Sequence, residues 1–331
     1  MHTRVMEYLY VDSLGPVSRV GLGTWQFGSK EWGYGAGYAN EEARLIVRRA
    51  LELGVTFFDT AEAYGSGRSE RILTAALGDD RERVVVATKI LPVAPFPPVV
   101  RSRAKGSAKR LQLGTIPLYQ IHQPNPLVRD SVIMPGMRDL LEQQTISAVG
   151  VSNYSLSRWR AADSALGRPV VSNQVRFSLA DISPLHDLVP FAESNKRLVI
   201  AYSPLAQGLL GGRYGPENRP GGVRALNPLF GTVNLQRISP LLDFVRDIAV
   251  THGAQPAQVA LAWLLAQPRV VVIPGASSVE QLEFNVEAAG LELSPDERDV
   301  LTAAAAAFTP RSAVHTLLDS AVHRVKRVAH R

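Results

Sequence analysis

Four residues of this chain combine the types that proton chemistry at an oxygen requires: Asp59, Tyr64, Lys89 and His122. A phenol ionises near pKa ~10, so Tyr64 alone is a poor proton donor or acceptor at neutral pH. A neighbouring ammonium, Lys89, would stabilise the phenolate and lower that pKa. Asp59 would hold Lys89 charged and oriented, and His122 would donate a hydrogen bond to a substrate carbonyl oxygen. The set suits protonation of an oxygen on which negative charge develops. Each residue also has a plainer use: a helix-capping Asp, a solvated Lys, a satisfied core His. Their joint placement at adjacent strand ends selects the chemical reading.

That placement follows from the elements. Short β-branched runs at 20–24, 56–60, 84–89, 118–122, 148–152, 170–175, 198–203 and 270–274 read as strands. Amphipathic stretches at 41–53, 69–77, 99–111, 132–144, 155–166, 184–195, 256–266 and 278–288 alternate with them as helices. Asn40 opens the first helix and Gly54 closes it, while Ser155 and Ser278 are N-cap candidates. Eight strand–helix units predict a closed (β/α)8 barrel, one domain over residues 1–331, with two auxiliary helices at 240–252 and after Ser294. An open dinucleotide-binding sheet is disfavoured, because Gly21-Leu22-Gly23 lies inside a strand and not at a helix start.

In such barrels the chemistry sits at the carboxyl ends of the strands. Here FFD ends at Asp59 with Tyr64 five residues on, VVVATK ends at Lys89, and LYQIH ends at His122. Later strand ends are polar but uncharged: Ser152-Asn153, Gln174 and Tyr202-Ser203. Amides there suit a carboxamide, and a ring suits stacking on a flat heterocycle. The PGASS turn before the helix at Ser278 matches the usual phosphate position of the fold.

Composition bounds the rest. The 331 residues include no cysteine, which excludes disulfides, thiolate nucleophiles and iron–sulfur clusters and fits a reducing compartment. Net charge is +6, with the excess concentrated in a basic tail over 310–331: Arg311, Arg324, Lys326, Arg327 and Arg331 against Asp319. No nucleic-acid motif accompanies it, so the tail reads as a solvated helix end. The N-terminus lacks an uninterrupted apolar core, and the longest apolar runs are too short to span a bilayer. A cytoplasmic protein, monomeric or homo-oligomeric, without nucleic-acid, membrane or metal partner, is expected.

From Val20 to Asn285 the chain closely resembles the aldo-keto reductases. GLGTW (21–25), GVTFFDTAEAYGSGRSE (54–70), VVVATK (84–89), LYQIHQP (118–124), GVSNY (150–154), SNQV (172–175), YSPLAQGLL (202–210) and GASSVEQLEFN (275–285) occur in family order. The resemblance implies carbonyl reduction by NADPH, less readily NADH, or the reverse oxidation by NADP+, on a small carbonyl substrate. It implies a catalytic tetrad of Tyr64 as general acid, Asp59, Lys89 and His122. Thr24 and Trp25 fall in its cofactor-facing opening strand, and Ser152, Asn153 and Gln174 at the carboxamide, with Tyr202 stacking on the nicotinamide. Ser203, Pro204, Leu205, Gln207 and Arg213 would line the pyrophosphate. Gly275, Ser277, Gln281 and Asn285 would hold the adenosine end, and Arg224, with Arg213 and Arg219 in the same loop, the 2′-phosphate.

Departures from the family pattern are Gly275 in place of a basic residue, Phe284 in place of Glu, and Pro117 in place of an acid. Trp25, Trp32, Tyr34 and the 219–230 loop are candidate substrate walls. Two other readings remain open. One is a cofactor-sensing subunit, since GLGTW and GASSVEQL also resemble potassium-channel β subunits. The other is a lyase or isomerase using Lys89 as a Schiff base.

Overall fold

A computed structural model describes residues 6–28 and 36–311. Trp32, Tyr34 and all of the basic tail beyond Arg311 lie outside the described residues. A hairpin of β1 (Tyr8–Val11) and β2 (Gly15–Ser18) comes first. Eight parallel strands follow: β3 (Leu22–Gly23), β4 (Phe57–Asp59), β5 (Val85–Ile90), β6 (Ile116–Ile121), β7 (Ile146–Ser152), β8 (Ser172–Arg176), β9 (Leu198–Tyr202) and β10 (Val270–Val272). They lie in sequence order across one sheet. The sheet curls until its edges meet, through parallel bridges Val20–Val272 and Gly23–Gly275. Gly21 N–H donates to Val272 O at 2.8 Å and Val272 N–H to Arg19 O at 2.9 Å, so the seam is hydrogen-bonded. The fold is the expected (β/α)8 barrel.

The helices are α1 (Trp25–Gly28), α2 (Ala36–Glu52), α3 (Arg68–Leu77), α4 (Pro97–Leu111), α5 (Asp130–Glu142), α6 (Leu156–Leu166), α7 (Leu188–Ser194), α8 (Thr232–Thr251), α9 (Pro256–Leu265), α10 (Val279–Glu287) and α11 (Pro295–Ala307). Ser155 and Ser278 cap α6 and α10 as expected, each side chain accepting a backbone N–H three residues on. Three boundaries differ from the sequence expectation. Helix α2 begins before Asn40, which is therefore interior and not a cap. Helix α8 runs unbroken through Pro240, the residue taken as its start. The stretch 184–195 splits into a 3-10 turn at Ser183–Leu185 and the short α7.

Side chains alternate between the faces of each strand, and the inward set is layered. Deep in the barrel Phe57, Val85, Ala87, Leu118, Ala148, Leu198, Ile200 and Val271 pack with Val11 and Val17 of the hairpin, which plugs the amino-terminal end. Further up the same faces the residues turn polar: Asp59 after Phe57, Lys89 after Ala87, Gln120 after Leu118, Gln174 after Ser172. Outward residues such as Val86, Tyr119, Val149 and Val199 join the larger core beneath the helices. The apolar floor fixes the height at which the polar layer sits.

The seam tolerates no side chain at its tightest point. A Cβ at Gly21 would lie 2.7 Å from Phe57 Cδ1 and 2.8 Å from Phe57 O. Gly21→Ala is expected to destabilise the barrel by roughly 1–3 kcal/mol, the usual cost of overpacking. A lowered urea midpoint at unchanged slope checks it; an unchanged midpoint refutes it.

Candidate active site

The polar layer centres on a buried ion pair. Lys89 is 0 % and Asp59 2 % exposed, and Lys89 Nζ donates to Asp59 Oδ1 at 2.6 Å. It also donates to Thr60 O at 3.0 Å and to Tyr64 Oη at 3.2 Å. Burial works against the Lys89 charge, but Asp59 and Tyr64 together raise its pKa above the ordinary lysine value. An ammonium held charged is not a nucleophile, which argues against the Schiff-base reading. The other Asp59 oxygen, Oδ2, accepts from Gln174 Nε2 at 2.7 Å and from Gln120 Nε2 at 3.4 Å.

Tyr64 stands on the loop between β4 and α3, and the backbone fastens that loop tightly. Tyr64 N–H donates to Ala61 O, and Ser69 N–H donates to Tyr64 O. Gly28 packs against it so closely that a Cβ there would lie 2.6 Å from Tyr64 C and O. Glu62, two residues before, accepts Leu91 N–H at 2.8 Å and pairs with Arg103 of α4. Sequence reasoning passed over this clamp. Its signal was an acid inside an otherwise small-residue turn.

Burial raises the Tyr64 pKa more than Lys89 lowers it, so the net direction is upward. The expectation of a lowered pKa is corrected here: desolvation of a phenolate outweighs one nearby cation. Tyr64 rests as the neutral phenol, a proton donor. His122 follows the last residue of β6, its ring edge-on to Tyr64 with centroids 5.7 Å apart. Burial, helped by the Lys89 charge, pushes His122 down to about 4. Its ring is therefore neutral at pH 7, and its Nδ1 is buried without a hydrogen-bond partner.

Above the layer opens a cavity of about 540 Å³ at the carboxyl mouth. Asp59, Tyr64 and His122 form part of its floor, with Ser152, Asn153 and Gln174 beside them. Tyr202, Ser203, Pro204, Leu205 and Gln207 form one wall; Gly275, Ser277 and Gln281 with Trp25 form another, and Arg224 reaches in from the 219–230 loop. Tyr202 Oη donates to Asn153 Oδ1 at 3.0 Å. Asn153, Ser203 and Gln207 all have positive φ (60°, 50° and 58°). Such backbone is costly for non-glycine residues and concentrates at functional sites.

Three of the expected cofactor-binding residues are not on the wall. Thr24 is buried, its hydroxyl bonded to Asp59 O at 2.9 Å and to Ser69 Oγ at 2.7 Å, so it braces β4. Asn285 is buried behind the wall, donating to Gly275 O at 3.3 Å. Arg213 is exposed outside the cavity. Conversely, Gln26, Gln123 and Arg176 line the cavity and were not anticipated. Strand alternation signals Arg176, which lies two residues beyond Gln174 on the same face.

A closed parallel barrel with a buried Lys–Asp pair, a phenol and a neutral imidazole at its carboxyl mouth is an enzyme architecture. The family model described as "Aldo/keto reductase family" matches residues 19–306, and the chain belongs to that family. It is 70% identical over 322 residues to the uncharacterized oxidoreductase Rv2298 of Mycobacterium tuberculosis, covering 97% of this chain and 100% of that protein. It is 32% identical to the aldo-keto reductase YhdN of Bacillus subtilis, covering 90% of this chain and 93% of that one. Among solved structures it is similar to the thermostable aldo-keto reductase Tm1743 in complex with the inhibitor epalrestat. The TM-score is 0.77 at 30% identity, over 91% of this chain and 100% of that one. It also matches an aldo-keto reductase of Klebsiella pneumoniae in complex with NADPH, with TM-score 0.74 at 26% identity, over 93% and 97% of the chains. The protein is thus an oxidoreductase-family enzyme, and among the described residues no helix is long and apolar enough to cross a membrane.

The depressed His122 pKa has a stability consequence. Between pH 6.5 and about 4 the unfolded chain binds a proton on this ring that the folded protein refuses. The contribution is complete above pH ~6.5 and is lost as pH falls to 4, in all about 3 kcal/mol. In His122→Gln the unfolding free energy is expected to fall less over that range than in wild type, by that amount. Equal falls in unfolding free energy from pH 6.5 to 4, measured by urea titration of the two proteins at each pH, would refute the assignment.

Proposed function

We propose that this protein is an NADPH-dependent reductase of aldehydes and ketones, able to run in reverse with NADP+. The observation that carries the reading is the Tyr64 hydroxyl, on the floor of the cavity, 3.2 Å from the buried, charged Lys89. The NADPH complex of the Klebsiella pneumoniae relative supports the choice of cofactor.

The wall residues fit such a group chemically. Ser152, Asn153 and Gln174 supply hydroxyl and amide partners for a carboxamide, and Tyr202 supplies a flat face held by Asn153. Ser277 and Gln281 stand at the first turn of α10, where backbone N–H groups favour phosphate. Arg224 is assigned the 2′-phosphate, since a guanidinium binds phosphate bidentately. Arg213 lies off the wall and has no assigned contact.

When bound, NADPH supplies the hydride that adds to the carbonyl carbon. His122, neutral and on the cavity floor, orients the carbonyl by donating an N–H hydrogen bond to its oxygen. Tyr64 donates its phenolic proton to that oxygen as charge develops there. Lys89 then stabilises the phenolate across 3.2 Å, and Asp59 keeps the ammonium in place. The buried Asp–Lys pair thus lowers the cost of phenolate only when the proton leaves, which is the condition for catalysis.

Titration with NADPH, read by nicotinamide fluorescence, is expected to give saturable micromolar binding. Tyr64→Phe should retain that binding while reduction of an aromatic aldehyde falls about 10²- to 10⁴-fold. An undiminished rate would remove Tyr64 as the acid. Tight NADPH binding without turnover of any carbonyl in a diverse panel would leave a cofactor-sensing protein instead. Arg224→Ala should weaken NADPH about tenfold while sparing NADH; equal loss for both would refute the 2′-phosphate contact.

A further inference from the structure

One wholly buried polar residue at the ion pair has no part in the reaction so described. Gln120 is 0 % exposed on the inner face of β6, two residues before His122. Strand register sets Lys89, Gln120, Gly150 and Ser172 in one row across four strands. Gly150 makes the row possible: a Cβ there would lie 2.9 Å from Gln120 Cγ and 2.3 Å from Ser172 Oγ. Side chains from either side therefore close over a glycine, and Gln120 is pressed towards Asp59.

Its hydrogen bonding is incomplete. Gln120 Nε2 reaches Asp59 Oδ2 only at 3.4 Å, whereas Gln174 Nε2 holds that oxygen at 2.7 Å. Gln120 Oε1 has no partner at all. A buried amide is ordinarily satisfied, so a half-used one beside a carboxylate needs an explanation. The proposed function provides a use for it. Gln174 cannot give its full attention to Asp59 and also serve a nicotinamide carboxamide. Were Gln174 to turn away, a buried carboxylate oxygen would lose its short donor, which is unfavourable.

We propose that Gln120 is a positioning residue that takes over Asp59 Oδ2 when Gln174 engages the cofactor. The move required is small, about half an ångström to reach an ordinary N–H···O length. No bond at Oε1 resists it. Asp59, Lys89 and Tyr64 then keep one geometry in the free and cofactor-bound protein. The inference rests on the NADPH reading above.

Gln120→Met removes the donor and keeps length and volume. Because Gln174 still serves Asp59 in the free protein, its cofactor-free melting temperature should stay within a few degrees of wild type. NADPH binding should weaken about tenfold or more, as one hydrogen bond to a charged group is worth, and the NADPH-induced rise in melting temperature should shrink. A loss of stability that is equal with and without NADPH would mean a merely structural role and overturn the proposal. Wild-type NADPH affinity in the variant would overturn it as well. A measurement without substitution guards against a misfolded variant: with 15N-labelled glutamine, the side-chain amide signals of both Gln120 and Gln174 should move on adding NADPH. A Gln120 signal that stays fixed while Gln174 moves overturns the inference and leaves the reductase reading standing. Absence of any NADPH binding by wild type removes both.

Discussion

Burying one ammonium inside a barrel governs the whole carboxyl half of this molecule. Lys89 has no exposed surface, and an unpaired charge in such a place costs several kcal/mol. Asp59 is the partner, and neither residue could be there without the other. The pair in turn requires β4 and β5 to be neighbours in parallel register, which the Asp59–Ala87 pairing supplies. The role proposed for Tyr64 depends on that pair. In the free protein the phenol is pushed upward by burial, and the same ammonium is what the departing proton would leave behind as a counter-charge. A site that favours phenol at rest and tolerates phenolate in reaction suits a general acid better than a permanently lowered pKa does.

Much of this was legible in the sequence because two periodicities are strong. Alternation along FFD, VVATK and LYQIH placed Asp59, Lys89 and His122 at strand ends, and all eight barrel strands fall where β-branched runs occur. What escaped detection has identifiable physical reasons. The plug hairpin is formed by YLYV and GPVS, too short for a period-two signal but positioned by Gly15 at φ 73°. Pro240 looked like a helix start because proline suits a first turn, yet packing carries α8 straight through it. Thr24 lies beside the site in sequence, but its hydroxyl braces the strand carrying Asp59. Gln120 was equally readable, one alternation below His122, and went unread because a neutral amide attracts less notice than a charge.

The Gly275 departure illustrates how the wall compensates locally. Family members with a basic residue there would project a long side chain into the cavity rim. Here a Cβ at Gly275 would meet Gln26 Oε1 at 2.7 Å, and Gln26 Nε2 donates to Ala276 O at 2.8 Å. The glutamine from α1 thus occupies the room that a side chain at 275 would take, and ties the first barrel loop to the last. One neutral amide at this rim stands where the family pattern has a fixed positive charge.

The layering of the interior explains why these compensations stay near the mouth. Below the level of Asp59 the inward side chains are apolar and fill the barrel down to Val11 and Val17 of the plug. A polar group inserted there would find no partner, and a cavity there would cost packing on all sides. Above that level Asp59, Lys89, Gln120, Ser152, Gln174 and Tyr202, one from each strand β4 to β9, carry groups that can hydrogen-bond to their neighbours. The buried Lys89–Asp59 pair marks the boundary, belonging to the rigid interior by its burial and to the site by its contact with Tyr64.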